Sequence, residues 1–351
     1  MKEKTISYVN NTTAVLIYSE INRRYLTGFA SSLGYLLLTS NVNYLFIDGR
    51  YYEAACKSAC NVTVVLLENI YEQINDVLRE QNISKLLIED NNTISFLSNL
   101  RKSIKVRVVP SHQLYNKLSV MRSIKTKFEI DSIIAAQRIA EKAFEDVLEY
   151  IKEGVSEKEI ASFLDYRMKI YGSEANAFET IVVSGKNSSL PHGVPTSKEI
   201  KNGDFITMDF GAKINGYCSD MTRTVAIGFV SEEMKNIYNI VLSAQEEVFK
   251  KASAGVTCSD LDLVARKIIE NAGYGDYFIH STGHGVGLEI HELPFVSKRN
   301  FDTKLRKGQV ITDEPGIYLP DKFGVRIEDM LLITKNECKN LTNAPKYLII
   351  L

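Results

Sequence analysis

From about residue 129 onward the chain repeats itself at a spacing of 101 residues. Ile130, Ile133, Ile134, Phe144, Val147, Leu148 and Ile151 fall on one stripe at helical spacing, which predicts a long amphipathic helix from about residue 129. Gly154 is placed to end that helix, because glycine takes a left-handed C-terminal conformation at little cost. Ser156 and Glu159 then form a capping box for a second helix, which ends near Gly172. The same series returns downstream. A helix from about Ser231 ends at Gly255, Val256 stands for Val155, Thr257 stands for Ser156, and the second helix ends at Gly273. The strands that follow also match. Gly203-Asp204-Phe205-Ile206-Thr207-Met208-Asp209-Phe210-Gly211 resembles Gly308-Gln309-Val310-Ile311-Thr312-Asp313-Glu314-Pro315-Gly316, so Asp209 and Glu314 occupy equivalent places. Asp220 and Glu328 do the same after an insertion of three residues. A duplication of this kind predicts two related halves about a pseudo-twofold axis, with four carboxylates at the centre. Converging buried carboxylates repel one another unless cations neutralise them, so the repeat by itself predicts a metal site. The competing reading puts the acids on exposed hairpins. It is weakened by Phe205-Ile206-Thr207-Met208, a run that reads as a buried strand leading into Asp209.

The part of the chain before the repeat follows another pattern. Short apolar runs at 14–18, 35–39, 44–48, 62–67, 85–88 and 106–109 alternate with helical stretches such as 70–79. Strands alternating with helices predict an α/β domain with a partly parallel sheet. At roughly 150 residues per domain, the length of 351 fits two. We expect an N-terminal α/β domain over 1–118 and an α+β domain over 119–351, with a polar, basic connector at 121–127.

Charge and cysteine usage narrow the class of partner. Lysine and arginine total 42 against 43 acids, a net charge of −1, which gives no electrostatic reason to expect nucleic acid or an anionic membrane. No apolar run approaches the ~20 residues of a membrane span, and the start, MKEKTISYVNN, lacks the apolar core of a signal peptide. Cys56, Cys60, Cys218, Cys258 and Cys338 are odd in number and scattered, with no CxxC pair, which fits a reducing cytoplasm.

A carboxylate-rich donor set favours harder divalent ions, and two ions ~3.5–4 Å apart need bridging ligands. The candidate imidazole is His284 within Gly283-His284-Gly285-Val286-Gly287, whose glycines allow close approach of the backbone. The alternating glycines are not a dinucleotide fingerprint. His291-Glu292-Leu293-Pro294 lacks the second histidine of a zincin.

Taken together, several stretches resemble the pita-bread metallopeptidases, a family that includes aminopeptidase P, prolidase and methionine aminopeptidase. They are Asp209; Asp220 eleven residues on; Thr-Gly-His284-Gly-Val-Gly-Leu-Glu-Ile-His291-Glu-Leu-Pro; Asp-Glu314-Pro-Gly-Ile-Tyr; and Gly-Val-Arg326-Ile-Glu328-Asp. The likeness covers roughly 122–342. It implies two divalent ions, with Mn2+ expected and Co2+ or Zn2+ as alternatives. Asp220 is implied to bind one ion, His284 the other, and Asp209, Glu314 and Glu328 both. Within Ser184-Gly185-Lys186-Asn187-Ser188-Ser189-Leu190-Pro191-His192-Gly193, His192 corresponds to the family's substrate-facing histidine. Arg24-Tyr25-Leu26-Thr27-Gly28-Phe29 and Ile47-Asp48-Gly49-Arg50-Tyr51 resemble the creatinase-like N-terminal domain of the proline-specific branch. A homodimer is implied as well.

The expected function is hydrolysis of the Xaa-Pro bond in short peptides, of the aminopeptidase P type, with an Xaa-Pro dipeptidase as the alternative. His192, His291 and Glu314 are the expected catalytic groups. Glu314 doubles as proton shuttle, and the histidines face the carbonyl oxygen. Arg326 orients a metal-binding carboxylate. A dipeptidase needs a cation for the free carboxylate of its substrate, for which Lys298 and Arg299 are the candidates. A metal-free binding module is the reading from another class. It is disfavoured because all five ligand positions are filled.

Overall fold

The computed structural model describes residues 8–351; residues 1–7, which open the segment read above as lacking a signal core, lie outside the described residues. The chain divides into two compact units, one up to Arg122 and one from Ser123.

The first unit is a six-stranded sheet in the order Thr63–Leu66, Tyr44–Ile47, Tyr35–Leu38, Thr13–Ile17, Lys85–Glu89, Arg107–Ser111. Thr13–Ile17 runs antiparallel to Tyr35–Leu38 and parallel to Lys85–Glu89, so the sheet is mixed. Its inner strands read as nearly unbroken apolar runs because both faces are covered. Ala14 and Leu16 join one apolar cluster with Ile74 and Leu78, while Val15 and Ile17 join another with Leu114 and Leu118. The helix His112–Ser123 carries that last pair one turn apart. It runs through residue 118, so only Ile124, Lys125 and Thr126 separate it from the next helix.

In the second unit the repeat is visible element by element. Lys127–Tyr150 and Glu232–Lys251 are the long helices, and Glu157–Ile170 and Cys258–Asn271 are the short ones, 14 residues each. Ser156 and Glu159 form the capping box, and Thr257 caps its helix through the Asp260 N–H. Gly172 and Gly273 follow the short helices at φ 98° and 88°. The long helices end sooner than their glycines imply. Ile151 and Ala252 are extended C-caps, and Gly154 and Gly255, at φ 86° and 98°, shape the turns beyond them. There their N–H groups donate to the Ile200 and Leu305 carbonyls.

Each half supplies an antiparallel sheet. In the first, Phe205–Phe210 lies between Met221–Ala226 and Ile181–Ser184; in the second, Val310–Asp313 lies between Asp329–Ile333 and Gly283–Gly285, with Glu292–Val296 and Cys338–Asn340 at the edges. Each half has its own apolar cluster beneath its helices. The halves meet along one seam. The Glu328 N–H donates to the Thr222 carbonyl, Thr224 Oγ1 donates to the Arg326 carbonyl, and Arg223 forms a buried ion pair with Asp329. Asp209 lies near the end of its strand, Asp220 and Glu328 immediately precede theirs, and Glu314 immediately follows its own. The duplication thus delivers all four acids to the seam.

Candidate metal centre

Strand alternation aims the acids. Residues two apart share a face, and three of the candidate ligands, Asp209, Asp220 and Glu314, each have a threonine at that spacing. Thr222 Oγ1 donates to Glu328 across the seam at 2.6 Å, Thr312 Oγ1 donates to Glu314 at 3.2 Å, and Thr207 pairs with Thr224 at 3.0 Å. Arg326 Nη2 donates to Asp209 Oδ2 at 2.7 Å, Nε to Thr222 Oγ1 at 3.0 Å, and Nη1 to Tyr318 Oη at 2.9 Å and the Pro191 carbonyl at 3.2 Å. Tyr318 Oη also lies 2.8 Å from His280 Nε2, so a polar chain runs from His280 to Asp209.

His284 is held at its backbone, where its N–H donates to Thr312 Oγ1 at 3.0 Å. Its Nδ1 lies 3.2 Å from the Gly285 carbonyl, which makes Nδ1 the donor and leaves Nε2 a free lone pair. Nε2 is 3.4 Å from Glu314 Oε1 and 3.6 Å from Asp220 Oδ2. Candidate ligand atoms of Asp220, His284 and Glu328 all lie within 4.8 Å of one another, and all three residues are buried.

The electrostatics are those of crowded, buried carboxylates that a cation would stabilise. Burial, then Glu328, Asp209 and Glu314, push the Asp220 carboxyl well above its ordinary value. Glu328 is pushed the same way by burial, Glu314 and Asp209. Burial pushes Glu314 up to about 8, Arg326 opposing and Asp209 adding to it. Burial, reinforced by His291, pulls His284 down to about 3, so its imidazole is neutral at pH 7. Asp209 Oδ1 is buried with no hydrogen-bond partner among the described residues. Four carboxylates against the single guanidinium of Arg326 leave three negative charges in a cluster from which water is largely excluded. One divalent ion would leave one negative charge uncompensated, and a second would more than offset it. The donor set, four carboxylates and one neutral imidazole, is what such ions take.

The sequence of the second unit matches the model of metallopeptidase family M24 over residues 131–335, and the first unit matches the creatinase/prolidase N-terminal domain over 9–123. The chain belongs to metallopeptidase family M24. Over 351 residues it is 41% identical to an Xaa-Pro dipeptidase of Pyrococcus furiosus, with 99% of each chain covered. Among solved structures, an Xaa-Pro dipeptidase from Bacillus anthracis superposes with a TM-score of 0.93 at 42% identity, covering 96% of this chain and 95% of that one. An X-Pro aminopeptidase from Thermotoga maritima MSB8 superposes at 0.92 and 37% identity, covering 97% and 98%. The N-terminal creatinase-like domain and the duplicated pita-bread domain read from the sequence are therefore those of an M24 peptidase.

The five acid and imidazole positions, together with His192, His291 and Arg326, line one cavity of about 400 Å3. Phe178, Ile181, Ile290 and Phe295 make its apolar wall. His291 packs edge-on against His284, ring centres 4.3 Å apart, and is drawn down in pKa by burial and His192. Lys298 and Arg299 are not in this lining. They line a neighbouring cavity of about 720 Å3, which shares only His280 and Ser281 with the first. Thr222, Thr312 and Tyr318 were not singled out from the sequence. The two threonines could have been found from their two-residue spacing to Asp220 and Glu314. Tyr318 carries no comparable signal.

Proposed function

We propose that this M24 metallopeptidase is an Xaa-Pro dipeptidase, cutting the bond before proline in dipeptides with two divalent ions, Mn2+ being the expected metal. The observation that carries the reading is the convergence of four carboxylates and one neutral imidazole at a cavity that Phe178, Ile181, Ile290 and Phe295 also line. The dipeptidase form, rather than the aminopeptidase expected from sequence, is favoured by relatives such as those of Pyrococcus furiosus and Bacillus anthracis.

Asp209, Asp220, His284, Glu314 and Glu328 would hold the ions, which when bound supply the Lewis acidity that polarises a carbonyl and activates water near neutral pH. The residues of the chain do the rest. The apolar wall of Phe178, Ile181, Ile290 and Phe295 excludes water and packs the pyrrolidine ring. His291, neutral at pH 7 because burial disfavours its charge, donates one N–H to the carbonyl oxygen, and His192 supplies a second donor. A prolyl nitrogen has no hydrogen in the substrate and must gain a proton to leave. Glu314, half-buried beside Thr312, is the group that carries it. Arg326 holds Asp209 in place, with Tyr318 and Thr222 fixing the guanidinium.

One observation favours the aminopeptidase as second reading. Among the described residues lining the metal cavity, Arg326 is the only lysine or arginine, and four of its five side-chain N–H donors are already engaged. A dipeptide carboxylate must then be met from the adjacent cavity by Lys298 and Arg299. The test is hydrolysis of a matched Xaa-Pro dipeptide and Xaa-Pro-Yaa tripeptide with Mn2+ and with chelator. Dipeptide preference supports the proposal, tripeptide preference makes the enzyme an aminopeptidase, and chelator-insensitive cleavage refutes the metal reading.

No helix among the described residues is long and apolar enough to cross a membrane, and none of the five cysteines is in a disulfide. A cytoplasmic setting belongs to the same proposal, and the homodimer implied by the family resemblance is open to a sizing measurement.

A further inference from the structure

We propose that Glu157 is a positioning residue for His192, its buried carboxylate fastening both ends of the loop that brings that imidazole to the metal cavity. The inference rests on the reading of His192 as a substrate-contacting group.

Glu157 is the first residue of a short helix and is fully buried. Its carboxylate makes six contacts, and all of them go to residues 184–196. Oε1 accepts from the Ser184 N–H at 2.7 Å, Ser184 Oγ at 2.9 Å and Asn187 Nδ2 at 3.1 Å. Oε2 accepts from the Thr196 N–H at 3.0 Å, Thr196 Oγ1 at 2.6 Å and Asn187 Nδ2 at 3.3 Å. Ser184 and Asn187 stand before His192 and Thr196 after it, so one carboxylate closes the loop. A carboxylate suits this hub, since its two oxygens offer about four acceptor sites to the donors that surround it.

The span between the two anchors is held as well. Gly324 N–H donates to Ser188 Oγ at 2.8 Å, and Arg326 Nη1 reaches the Pro191 carbonyl. A Cβ on Gly193 would lie 2.6 Å from Val183 Cγ1. The neighbours of His192 on either side are therefore fixed, one to the guanidinium that holds Asp209 and one to the strand beneath.

The duplication separates this duty from the needs of the fold. The corresponding helix in the second half, Cys258–Asn271, has the same length and begins with a buried cysteine. The helix start thus tolerates a small apolar residue. What distinguishes the first half is the loop that its acid ties. The second half steadies His291 by other means, a fully buried ion pair 2.7 Å long between the adjacent Glu292 and Lys125.

The test uses Glu157→Gln, Thr196→Val, His192→Ala and each of the first two combined with His192→Ala, assayed on an Xaa-Pro dipeptide with metal content measured alongside. Glu157→Gln turns an acceptor into a donor that faces donors. It should lower kcat/KM by about a hundredfold, the cost of roughly 1 Å of misplacement, at wild-type metal content. Thr196→Val, a milder change at an exposed position, should cost less. Neither should slow the His192→Ala enzyme further. In the metal-free protein, the His192 ring resonance, assigned by its loss in His192→Ala, should shift or broaden in Glu157→Gln. Losses that multiply with His192→Ala would overturn the inference, as would a fully active Glu157→Gln. If Glu157→Gln does not fold, the Thr196→Val pair decides by the same criterion. A fully active His192→Ala refutes the reading of His192 itself, and the inference with it. An inactive His192→Ala beside an active Glu157→Gln refutes the inference alone.

Discussion

Replacing Gly283 by alanine should empty the metal centre while leaving the protein folded. Glycine is required there by space, because Gly283 is not among the residues with positive φ. A Cβ would lie 2.1 Å from the Thr312 carbonyl oxygen and 2.9 Å from Thr312 Oγ1, where ordinary contact begins at 3.4 Å. The two strands must part by about 1 Å, an overpacking that costs about 1–3 kcal/mol. The damage is concentrated because Thr312 Oγ1 receives the His284 N–H and donates to Glu314. Moving Thr312 therefore shifts two expected ligands against Asp220 and Glu328. Metal–ligand distances tolerate only about 0.2 Å, and misplacement of about 1 Å costs on the order of a hundredfold in rate. Gly255→Ala is the matched control. Its Cβ meets nothing within 4 Å, but its φ of 98° strains any side chain, at about 1 kcal/mol. Thermal unfolding, bound metal and kcat/KM would be measured on both. Both variants should lose stability, and only Gly283→Ala should lose metal and activity. Full metal occupancy and turnover in Gly283→Ala would refute the argument that the glycine spacing seats His284.

Three further outcomes follow from the same geometry. Asp220→Ala should bind one ion fewer per chain and lose most activity, which metal analysis and turnover will check; near-normal turnover contradicts the two-ion assignment. Lys298→Ala and Arg299→Ala should raise KM for an Xaa-Pro dipeptide and leave an Xaa-Pro-amide unaffected, and equal effects on both would remove them from carboxylate recognition. In chelator-treated protein, Asp220, Glu314 and Glu328 have folded-state pKa values above their unfolded ones. The folded state then holds the extra protons, so stability should fall as pH rises from the ordinary carboxylate range toward the Glu314 value of about 8. Divalent ions replace those protons, so the gain in melting temperature on adding Mn2+ should grow over the same range. A metal-free protein that melts higher at pH 8 than at pH 6 would reverse the sign and refute the account.

The fold was legible where covalent sequence and local physics coincide. The capping box at Ser156 and Glu159 and the left-handed Gly172 and Gly273 are local devices, and they stand where the repeat puts them. The long helices are a different case. Gly154 and Gly255 are left-handed as expected, yet they serve turns whose hydrogen bonds go to Ile200 and Leu305, partners remote in sequence. The helix His112–Ser123 was obscured because its polar end resembles a linker, while burial of Leu114 and Leu118 carries it through residue 118. At the site, the repeat made the acids conspicuous, since four carboxylates at matched places call for cations. Lys298 and Arg299 are nearby in sequence and so were drawn into the reading, but a cavity wall is a tertiary fact and they belong to the neighbouring one. Glu157 was overlooked for the same reason. Its neighbours in sequence belong to a helix cap, and its three partner residues lie 27 to 39 positions away.

Metal stoichiometry tests the central claim most directly. After removal of all divalent ions and reconstitution with Mn2+, the account predicts two ions per chain, bound with release of protons and with return of Xaa-Pro cleavage. A saturated protein that holds one ion or none would contradict it.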